Sequence, residues 1–290
     1  MAQIIFGIPK GSLQESTIQL LFKAGYRVRV DPRSYYPAID DEQIEARLIR
    51  PQDMSRFVER ECVDAGLTGA DWVAENESDV VTVCELTYAK QELVPIRWVV
   101  AVHEDSSIQS LEDLDGKRIS TELVNVTRRF LEERGIGAEV EFSHGATETK
   151  VPDLVDAIVE LTETGASLRA NDLRVVDTVM ESRTLLIASH GAWENKAKRT
   201  KIENIGMLLR GAVIGQTKVG LKMNVPDGAL QKVLSLLPAL RNPTVNNLAD
   251  ESGYAVETVL EEKVARDLIP RLKRAGAEGI IEYALNKVIL

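Results

Sequence analysis

The chain has 290 residues and a formal net charge of −10, which allows two or three domains and argues against whole-protein attraction to nucleic acid or anionic lipid. The N-terminus lacks the basic segment and apolar stretch of a signal peptide, and no apolar run approaches a membrane span. We therefore expect a cytoplasmic protein with no nucleic-acid or membrane partner. Cys62 and Cys84 lie far apart, and we expect two buried thiols rather than metal ligands or a disulfide.

The first two thirds of the chain alternate short apolar runs with helical patterns. Residues 3–8 predict a buried strand, and the following helix is expected to be capped by Ser12 and to end at Gly25. Pro51 opens a second helix, and a short helix is predicted around Trp72. Three further strands are predicted at residues 46–49, 67–69 and 80–86.

A second, similar set of elements follows. Strands are predicted at residues 98–102, 117–121, 139–142, 156–161, 174–179 and 184–188. A helix is predicted at residues 126–133, where Gly135 stops it. This alternation indicates an α/β fold with largely parallel sheets, and two such halves would enclose a cleft.

The last eighty or so residues have a different pattern. Strands are predicted at residues 217–225, 244–248, 254–260 and 279–283, and helices at residues 228–237 and 264–275. The order βαββαβ is the ferredoxin-like pattern, which often forms small regulatory domains.

The strongest local signal for chemistry is the segment DAIVELTETGASLRAN at residues 156–171. An apolar strand leads to Glu160, and a polar turn then opens a short helix. A strand–loop–helix junction directs main-chain N–H groups at one point, where a phosphate can bind. The candidate phosphate loop comprises Thr162, Glu163, Thr164, Gly165, Ala166 and Ser167. The pattern alone is equally compatible with a plain solvated turn.

Three charged residues follow other predicted strands. Lys10, in the segment IPKG, and Arg50 come where open α/β sheets bind ligands, and each could meet a phosphate. Taken singly, each is better explained as a surface residue. Asp71 is better explained as a helix N-cap than as a ligand contact. The turn EFSHGATE at residues 141–148 could line the cleft or be a simple loop.

Together these motifs resemble one known family. The segments IPKG, GLTGADW, EFSHGATE and DAIVELTETGASLRAN, with LRNPTVNNL near the C-terminus, resemble the long form of ATP phosphoribosyltransferase in order and spacing. The resemblance implies two periplasmic-binding-protein-like lobes and a C-terminal ferredoxin-like regulatory domain. It places lobe I at residues 1–96 and 186–211, lobe II at 97–185 and the regulatory domain at 212–290.

The resemblance also implies a function. The family condenses ATP with 5-phosphoribosyl-1-pyrophosphate (PRPP) in the first step of histidine biosynthesis. It requires Mg²⁺, is inhibited by histidine and forms dimers that assemble into hexamers. We expect Mg²⁺ to arrive on the pyrophosphate, without a dedicated protein metal site.

Carried onto this sequence, the family's site residues fall at definite positions. The 5′-phosphate of PRPP is expected on the candidate phosphate loop, with Glu160 facing the ribose. Lys10, Arg50 and Asp71 are expected to line the remaining cleft as catalytic residues. The histidine site is expected at Asn224, Leu240, Asn242, Thr244 and Gly279. Two other functions stay open: a non-catalytic binder of a small molecule, and an amino-acid sensor in which only the C-terminal domain is active.

Overall fold

The computed structural model describes residues 3–86, 96–238, 242–249 and 251–290. Contacts within the chain divide it into two compact units. One comprises Met1–Gln19 and Tyr26–Gly206, and the other comprises Leu20–Gly25 and Met207–Leu290.

The first unit contains two mixed sheets, each with five strands among the described residues. The first sheet has the order β4-β1-β5-β12-β6. Its strands are β1 (Ile4–Pro9), β4 (Ile44–Ile49), β5 (Ala65–Gly69), β6 (Val81–Leu86) and β12 (Thr184–Ala188). The elements between or beside them are α1 (Gln14–Ala24), β2 (Val28–Arg29), β3 (Ala38–Ile39), α2 (Pro51–Glu59), α3 (Ala70–Asn76), α6 (His190–Glu194) and α7 (Lys196–Gly215).

The second sheet has the order β11-β7-β10-β8-β9. Its strands are β7 (Ile96–His103), β8 (Arg118–Thr121), β9 (Glu139–Phe142), β10 (Ala157–Thr162) and β11 (Leu173–Ser182). Helices α4 (Val124–Glu132) and α5 (Ala166–Ala170) belong to this half, with 3₁₀ turns at Leu111–Leu114 and Thr147–Lys150. We call the halves built on the first and second sheets lobe I and lobe II.

The second unit contains the sheet β14-β15-β13-β16. Its elements are β13 (Lys218–Pro226), α8 (Leu230–Leu234), β14 (Thr244–Asn247), β15 (Gly253–Glu261), α9 (Glu262–Ala275) and β16 (Glu278–Ala284). A 3₁₀ turn at Asp227–Ala229 precedes α8. The strand order and antiparallel pairing confirm the predicted ferredoxin-like module.

The apolar run in β7 forms a central strand because both of its faces are buried. Trp98 and Val100 pack into one core cluster, whereas Val99 and Ala101 pack into the cluster on the opposite face. Side chains alternate between the faces of a strand, so only an unbroken apolar run satisfies both clusters. This strand supports β10, whose carboxyl end carries the candidate phosphate loop.

Two glycines in lobe I allow α2 to lie close to the sheet. A Cβ atom at Gly7 or at Gly66 would collide with the side chain of Met54, which is fully buried under α2. The glycines therefore fix the depth of α2 and, with it, the position of Arg50 at its N-terminus.

Several predictions of the fold were wrong. The sheets are not largely parallel: β12 runs antiparallel to β5 and β6, and β7 runs antiparallel to β10 and β11. The direction in which two strands pair depends on segments far apart in the chain, so the sequence of one strand alone does not show it. Helix α7 was not predicted, and α1 begins at Gln14, so Ser12 lies in the preceding turn. Cys84 is buried as predicted, but Cys62 is exposed because it lies in the turn after α2.

Candidate functional site

A cavity of about 460 Å³ lies where segments from both lobes meet. Lobe I contributes the first turns of α2 and residues of α3, and lobe II contributes the segments after β8 and β9. Such a place, beyond the carboxyl ends of parallel strands, is where open α/β sheets bind ligands. The lining comprises Arg50, Gln52, Asp53, Arg56, Trp72, Glu75, Asn76, Glu122, Val124, Asn125, Phe142, Ser143 and His144.

Glu75 joins the two lobes beside this cavity. Its carboxylate accepts hydrogen bonds from the main-chain N–H groups of Asn125 and Val126, each at 3.0 Å. Those groups open α4, where the first N–H groups have no partner within the helix. The side chain of Asn125 donates back to the Glu75 carbonyl at 3.0 Å. Because Glu75 is only 8% exposed, these bonds fix α3 against α4.

Asp71 also connects the lobes, but it does not line the cavity described above. It is the second residue of α3, and the N-cap position is Gly69, so the predicted capping role was wrong. Trp98 Nε1 donates to Asp71 Oδ2 at 2.7 Å, and the Asp71 N–H donates to Ser182 Oγ at 3.1 Å. Burial raises the pKa of the Asp71 carboxyl, and hydrogen bonds from Trp98, Ser182 and Trp72 offset part of that rise.

Arg50 and Lys10 follow the carboxyl ends of two neighbouring parallel strands. Arg50 occupies the N-cap position of α2, is exposed and lines the cavity. Lys10 follows β1, and its Nζ lies 3.8 Å from the centroid of the Tyr35 ring in a cation–π contact. Lys10 is not among the residues that line this cavity. The structure therefore brings Arg50, but not Lys10, directly to the cavity wall.

The candidate phosphate loop connects β10 to α5. Glu163, Thr164, Ala166 and Ser167 are exposed, whereas Thr162 and Gly165 are buried. Gly165 precedes α5 with a φ of 74°, and its N–H donates to Thr162 Oγ1 at 2.8 Å. Ser167 Oγ donates to Glu148 Oε1 at 2.7 Å. One hydrogen bond within the loop and one to the turn Thr147–Lys150 thus hold its shape, while its outer residues stay accessible to a ligand.

Glu160 lies two residues before the end of β10 and is half-buried. Burial raises the pKa of its carboxyl, and the neighbouring carboxylates of Glu148 and Glu122 raise it further. Hydrogen bonds from Thr147 and from the Leu161 N–H oppose these effects. Glu122 lines the cavity, whereas Glu160 and residues 162–167 are not among the residues that line it.

The sequence prediction missed Glu75, Thr147 and Lys150. Glu75 has no local signature, because its partners lie 50 and 51 residues further along the chain. Lys150 Nζ donates to Ser143 Oγ at 2.8 Å, and Ser143 Oγ lies 2.8 Å from Thr147 Oγ1. The available signal was the polar turn after β9, which was expected either to line the cleft or to be a simple loop.

The predicted histidine site divides between two cavities of the second unit. Asn224 lines a cavity of about 640 Å³ with Glu278, its neighbour across β13 and β16, and Gly279 lies near the Asn224 amide. Asn242 and Thr244 line a different cavity of about 460 Å³. Leu240 lies outside the described residues. The structure therefore brings the residues together in pairs rather than as one group.

The two lobes, the cavity between them and the added C-terminal module define the class of two-lobed α/β ligand-binding proteins with a ferredoxin-like domain. Residues 50–211 match the family model "HisG: ATP phosphoribosyltransferase", and residues 215–287 match "HisG, C-terminal domain". The ATP phosphoribosyltransferase of Chlorobaculum parvum is 57% identical over 283 residues, which cover 98% of this chain and 96% of that protein. The ATP phosphoribosyltransferase of Thermodesulfovibrio yellowstonii is 56% identical over 283 residues, with 98% and 97% covered.

Solved structures agree with this result. The ATP phosphoribosyl transferase (HisG:HisZ) complex from Thermotoga maritima has a TM-score of 0.61 and 25% identity, covering 71% of this chain and 98% of that chain. An ABC-transporter structure from Listeria monocytogenes has a TM-score of 0.50 and 15% identity, covering 74% and 94%, and shows the fold alone. The chain belongs to the ATP phosphoribosyltransferase family, whose enzymes are pentosyl transferases of histidine biosynthesis.

The part of the chain that the structure describes contains no group of three or more His, Cys, Asp or Glu side chains that could hold a metal ion. None of its helices is both long enough and apolar enough to cross a membrane.

Proposed function

We propose that the enzyme joins ATP to PRPP, giving N1-(5-phosphoribosyl)-ATP and pyrophosphate. Adenine N1 of ATP attacks C1 of the ribose as the C1–pyrophosphate bond breaks. N1 is unprotonated near neutral pH, so no strong base is required. The observation that carries this proposal is the accessible loop at Thr162–Ser167 beside the half-buried Glu160.

In this proposal the candidate phosphate loop binds the 5′-phosphate of PRPP. Main-chain N–H groups and the hydroxyl of Thr164 supply the donors on its exposed side, and Ser167 would have to release its hydrogen bond to Glu148 before its hydroxyl could donate to the phosphate. Glu160 accepts hydrogen bonds from the ribose hydroxyls. Holding the sugar at both ends aligns C1 for attack, which is where much of the rate gain in a two-substrate displacement arises.

Cations of lobe I neutralise the leaving pyrophosphate. Arg50 has the planar fork of donors that binds phosphate oxygens bidentately, and it lines the cavity. Lys10 lies at the end of the adjacent strand and acts as a second positive charge. In the conformation described here, Asp71 holds Trp98 and Ser182. We therefore propose that Asp71 positions α3 rather than contacting substrate.

The metal in this proposal is Mg²⁺, which enters with the substrate phosphates. The described residues offer no cage of three or more metal-ligating side chains, and Mg²⁺ commonly binds through phosphate oxygens with one or two carboxylates. Asp53 and Glu122 are carboxylates of the cavity wall that could complete its coordination. The bound ion would withdraw charge from the pyrophosphate, while alignment of the reacting atoms comes from the protein.

We further propose that histidine binds the C-terminal domain and inhibits the transferase reaction. The enzyme is proposed to be cytoplasmic and to form dimers and hexamers. The proposed histidine contacts are Asn224, Leu240, Asn242, Thr244 and Gly279. The proposed domains are residues 1–96 with 186–211 for lobe I, 97–185 for lobe II and 212–290 for the regulatory domain. The matched C-terminal domain supports the regulatory assignment. Because the proposed histidine contacts line two different cavities, the domain would have to rearrange for all of them to contact one histidine molecule.

The test is pyrophosphate release measured with ATP alone, PRPP alone and both substrates together. Release only with both substrates is the expected result, and added histidine should lower the rate. Release with PRPP alone would contradict the transferase reaction, and no release under any condition would favour a non-catalytic binder. Binding of PRPP by residues 1–211 would exclude a protein in which only the C-terminal domain is active.

A further inference from the structure

An aromatic ring holds the ammonium group of Lys10 at the carboxyl edge of the lobe I sheet. Lys10 Nζ lies 3.8 Å from the centroid of the Tyr35 ring. Lys10 is half-buried, yet no carboxylate among the described residues pairs with it. The side-chain contact that restrains this cation is therefore the one with Tyr35.

The main chain places Tyr35 and Lys10 on opposite sides of β4, which is the edge strand of its sheet. The Leu48 N–H donates to the Tyr35 carbonyl at 2.8 Å, and the Lys10 N–H donates to the Ile49 carbonyl at 2.8 Å. Since Lys10 belongs to the neighbouring strand segment, the contact between the two side chains spans β4. It does so at the end of β4 from which Arg50 follows.

A neutral ring holds a cation differently from a carboxylate. The negative face of the ring attracts the ammonium group without cancelling its charge. An ammonium group has three N–H donors, and those that point away from the ring stay free for a ligand. The attraction extends to about 6 Å from the ring centroid, so Lys10 can move toward a ligand and remain over the ring.

Resting on the proposed transferase reaction, we propose that Tyr35 is a positioning residue for Lys10. Its ring keeps the ammonium group at the carboxyl edge of the sheet, with its full charge and its free donors available to the leaving pyrophosphate. A long lysine side chain loses much conformational freedom when it is ordered. Because the ring restrains Lys10 before the reaction, less of that freedom is lost in the transition state. Tyr35 itself touches no reacting atom.

The first test removes the ring and then restores it. Tyr35→Leu removes the aromatic face, whereas Tyr35→Phe keeps that face and removes only the hydroxyl. The energy of a cation–π contact at an exposed site corresponds to a fall in kcat of about two- to fivefold for Tyr35→Leu. Tyr35→Phe should stay near the wild type, and the KM for ATP should be unchanged in both variants.

Two further variants separate positioning from a merely structural role. In the Lys10→Met background, Tyr35→Leu should lower kcat no further, because the cation that the ring restrains is gone. Pentafluorophenylalanine at position 35 keeps the shape of a phenylalanine ring but reverses the charge on its face. It should therefore lower kcat as Tyr35→Leu does, and it decides the question should Tyr35→Leu fail to fold.

Tyr36→Leu is the matched control. Tyr36 is the next residue and is also exposed, but its ring centroid lies 6.0 Å from Arg47 Cζ. Arg47 already pairs with Glu45 at 2.8 Å. Since neither Tyr36 nor Arg47 belongs to the proposed site, the kcat of Tyr36→Leu should match the wild type.

Nuclear magnetic resonance of the full chain detects the contact without turnover. The methylene protons beside the Lys10 ammonium, identified by their loss in Lys10→Met, should be shifted upfield by the ring in the wild type and in Tyr35→Phe, but not in Tyr35→Leu. Absence of this shift in the wild type would overturn the proposal. An unchanged kcat in Tyr35→Leu, or the same loss of kcat with and without Lys10, would also overturn it. A wild type that releases no pyrophosphate with both substrates would instead disprove the transferase reaction itself, and the role of Tyr35 with it.

Discussion

The two lobes end their ligand-facing strands in different ways. In lobe I, β1 and β4 are followed directly by Lys10 and Arg50, whose charges are carried on long side chains. In lobe II, β10 leads into a loop held by two hydrogen bonds, one within it from the Gly165 N–H to Thr162 and one from Ser167 to Glu148 of a neighbouring turn. In lobe I, long charged side chains must move to reach a ligand, whereas in lobe II the loop already has a fixed shape.

This difference suits the two ends of the proposed substrate. A 5′-phosphate stays with the sugar throughout the reaction, so a rigid loop binds it at little conformational cost. The pyrophosphate gains charge as it leaves, so mobile cations that follow it stabilise the transition state more than the bound substrate. Substitutions in each lobe, and at the contact between the lobes, test this difference.

The largest effect is expected from Gly165→Val. Gly165 has a φ of 74°, and a Cβ atom there would lie 2.8 Å from Arg169 Nη1. The added side chain should disrupt the phosphate loop and raise the KM for PRPP roughly 100-fold, or about 2.7 kcal/mol. Steady-state kinetics with varied PRPP measure this change.

Gly116→Val provides the matched control for Gly165→Val. Gly116 has a φ of 72°, and a Cβ atom there would meet no atom within 4 Å. Both variants should lose stability of at least about 1 kcal/mol from the left-handed backbone, but only Gly165→Val should lose affinity for PRPP. Equal kinetic losses in both would show that backbone strain, rather than the loop itself, limits binding.

A smaller effect is expected from Arg50→Met in lobe I. Loss of a charged hydrogen-bonding group costs about 1.5–3 kcal/mol, so kcat/KM should fall by roughly 10- to 100-fold. Because Arg50 acts on the departing pyrophosphate, most of this loss should appear in kcat. The control is Arg60→Met, an exposed arginine at the other end of α2. A change confined to KM would mean that Arg50 binds substrate and transition state equally.

The contact between the lobes can be weakened by Glu75→Gln. A neutral amide oxygen can replace only part of the carboxylate that accepts from the Asn125 and Val126 N–H groups. We expect a loss of about 1–2 kcal/mol in the free energy of unfolding, measured by urea denaturation. Glu77→Gln is the control, because Glu77 is exposed and pairs with Arg129 on the surface. Equal losses of unfolding free energy in the two variants would show that Glu75 does not stabilise the contact between the lobes more than a surface residue does.

Much of the fold could be predicted because its signals are local. The apolar run at Trp98–Val102 specifies a strand buried on both faces. Helix α7 carried a signal that the prediction overlooked: Ile202, Ile205, Leu209 and Ala212 recur at helical spacing, and all four are buried. Pairing direction could not be predicted, because it depends on which strands meet after the chain has folded.

The candidate site shows the same contrast between features with a local sequence signal and features that depend on the folded chain. The Gly165 loop, Arg50 and Lys10 follow predicted strands, so the carboxyl-edge rule for α/β sheets found them in the sequence. The contact of Glu75 with α4 joins segments about 50 residues apart, and Lys150 donates to Ser120, which lies 30 residues earlier in the chain. Neither has a motif, since each depends on the lobes having already folded.

The smallest expected effect concerns Asp71 and pH. Burial raises its pKa above the ordinary value of 3.8, so the native state binds its proton more tightly than the unfolded chain does. The contribution of this group to stability is therefore fully present below pH 3.8 and declines as the pH rises through the raised pKa. Asp71→Asn lacks this titration, so the stability difference between wild type and variant should shrink as the pH rises through that window. Urea denaturation at a series of pH values measures it. A difference that grows with pH would show that the hydrogen bonds from Trp98 and Ser182 outweigh burial and stabilise the charged form.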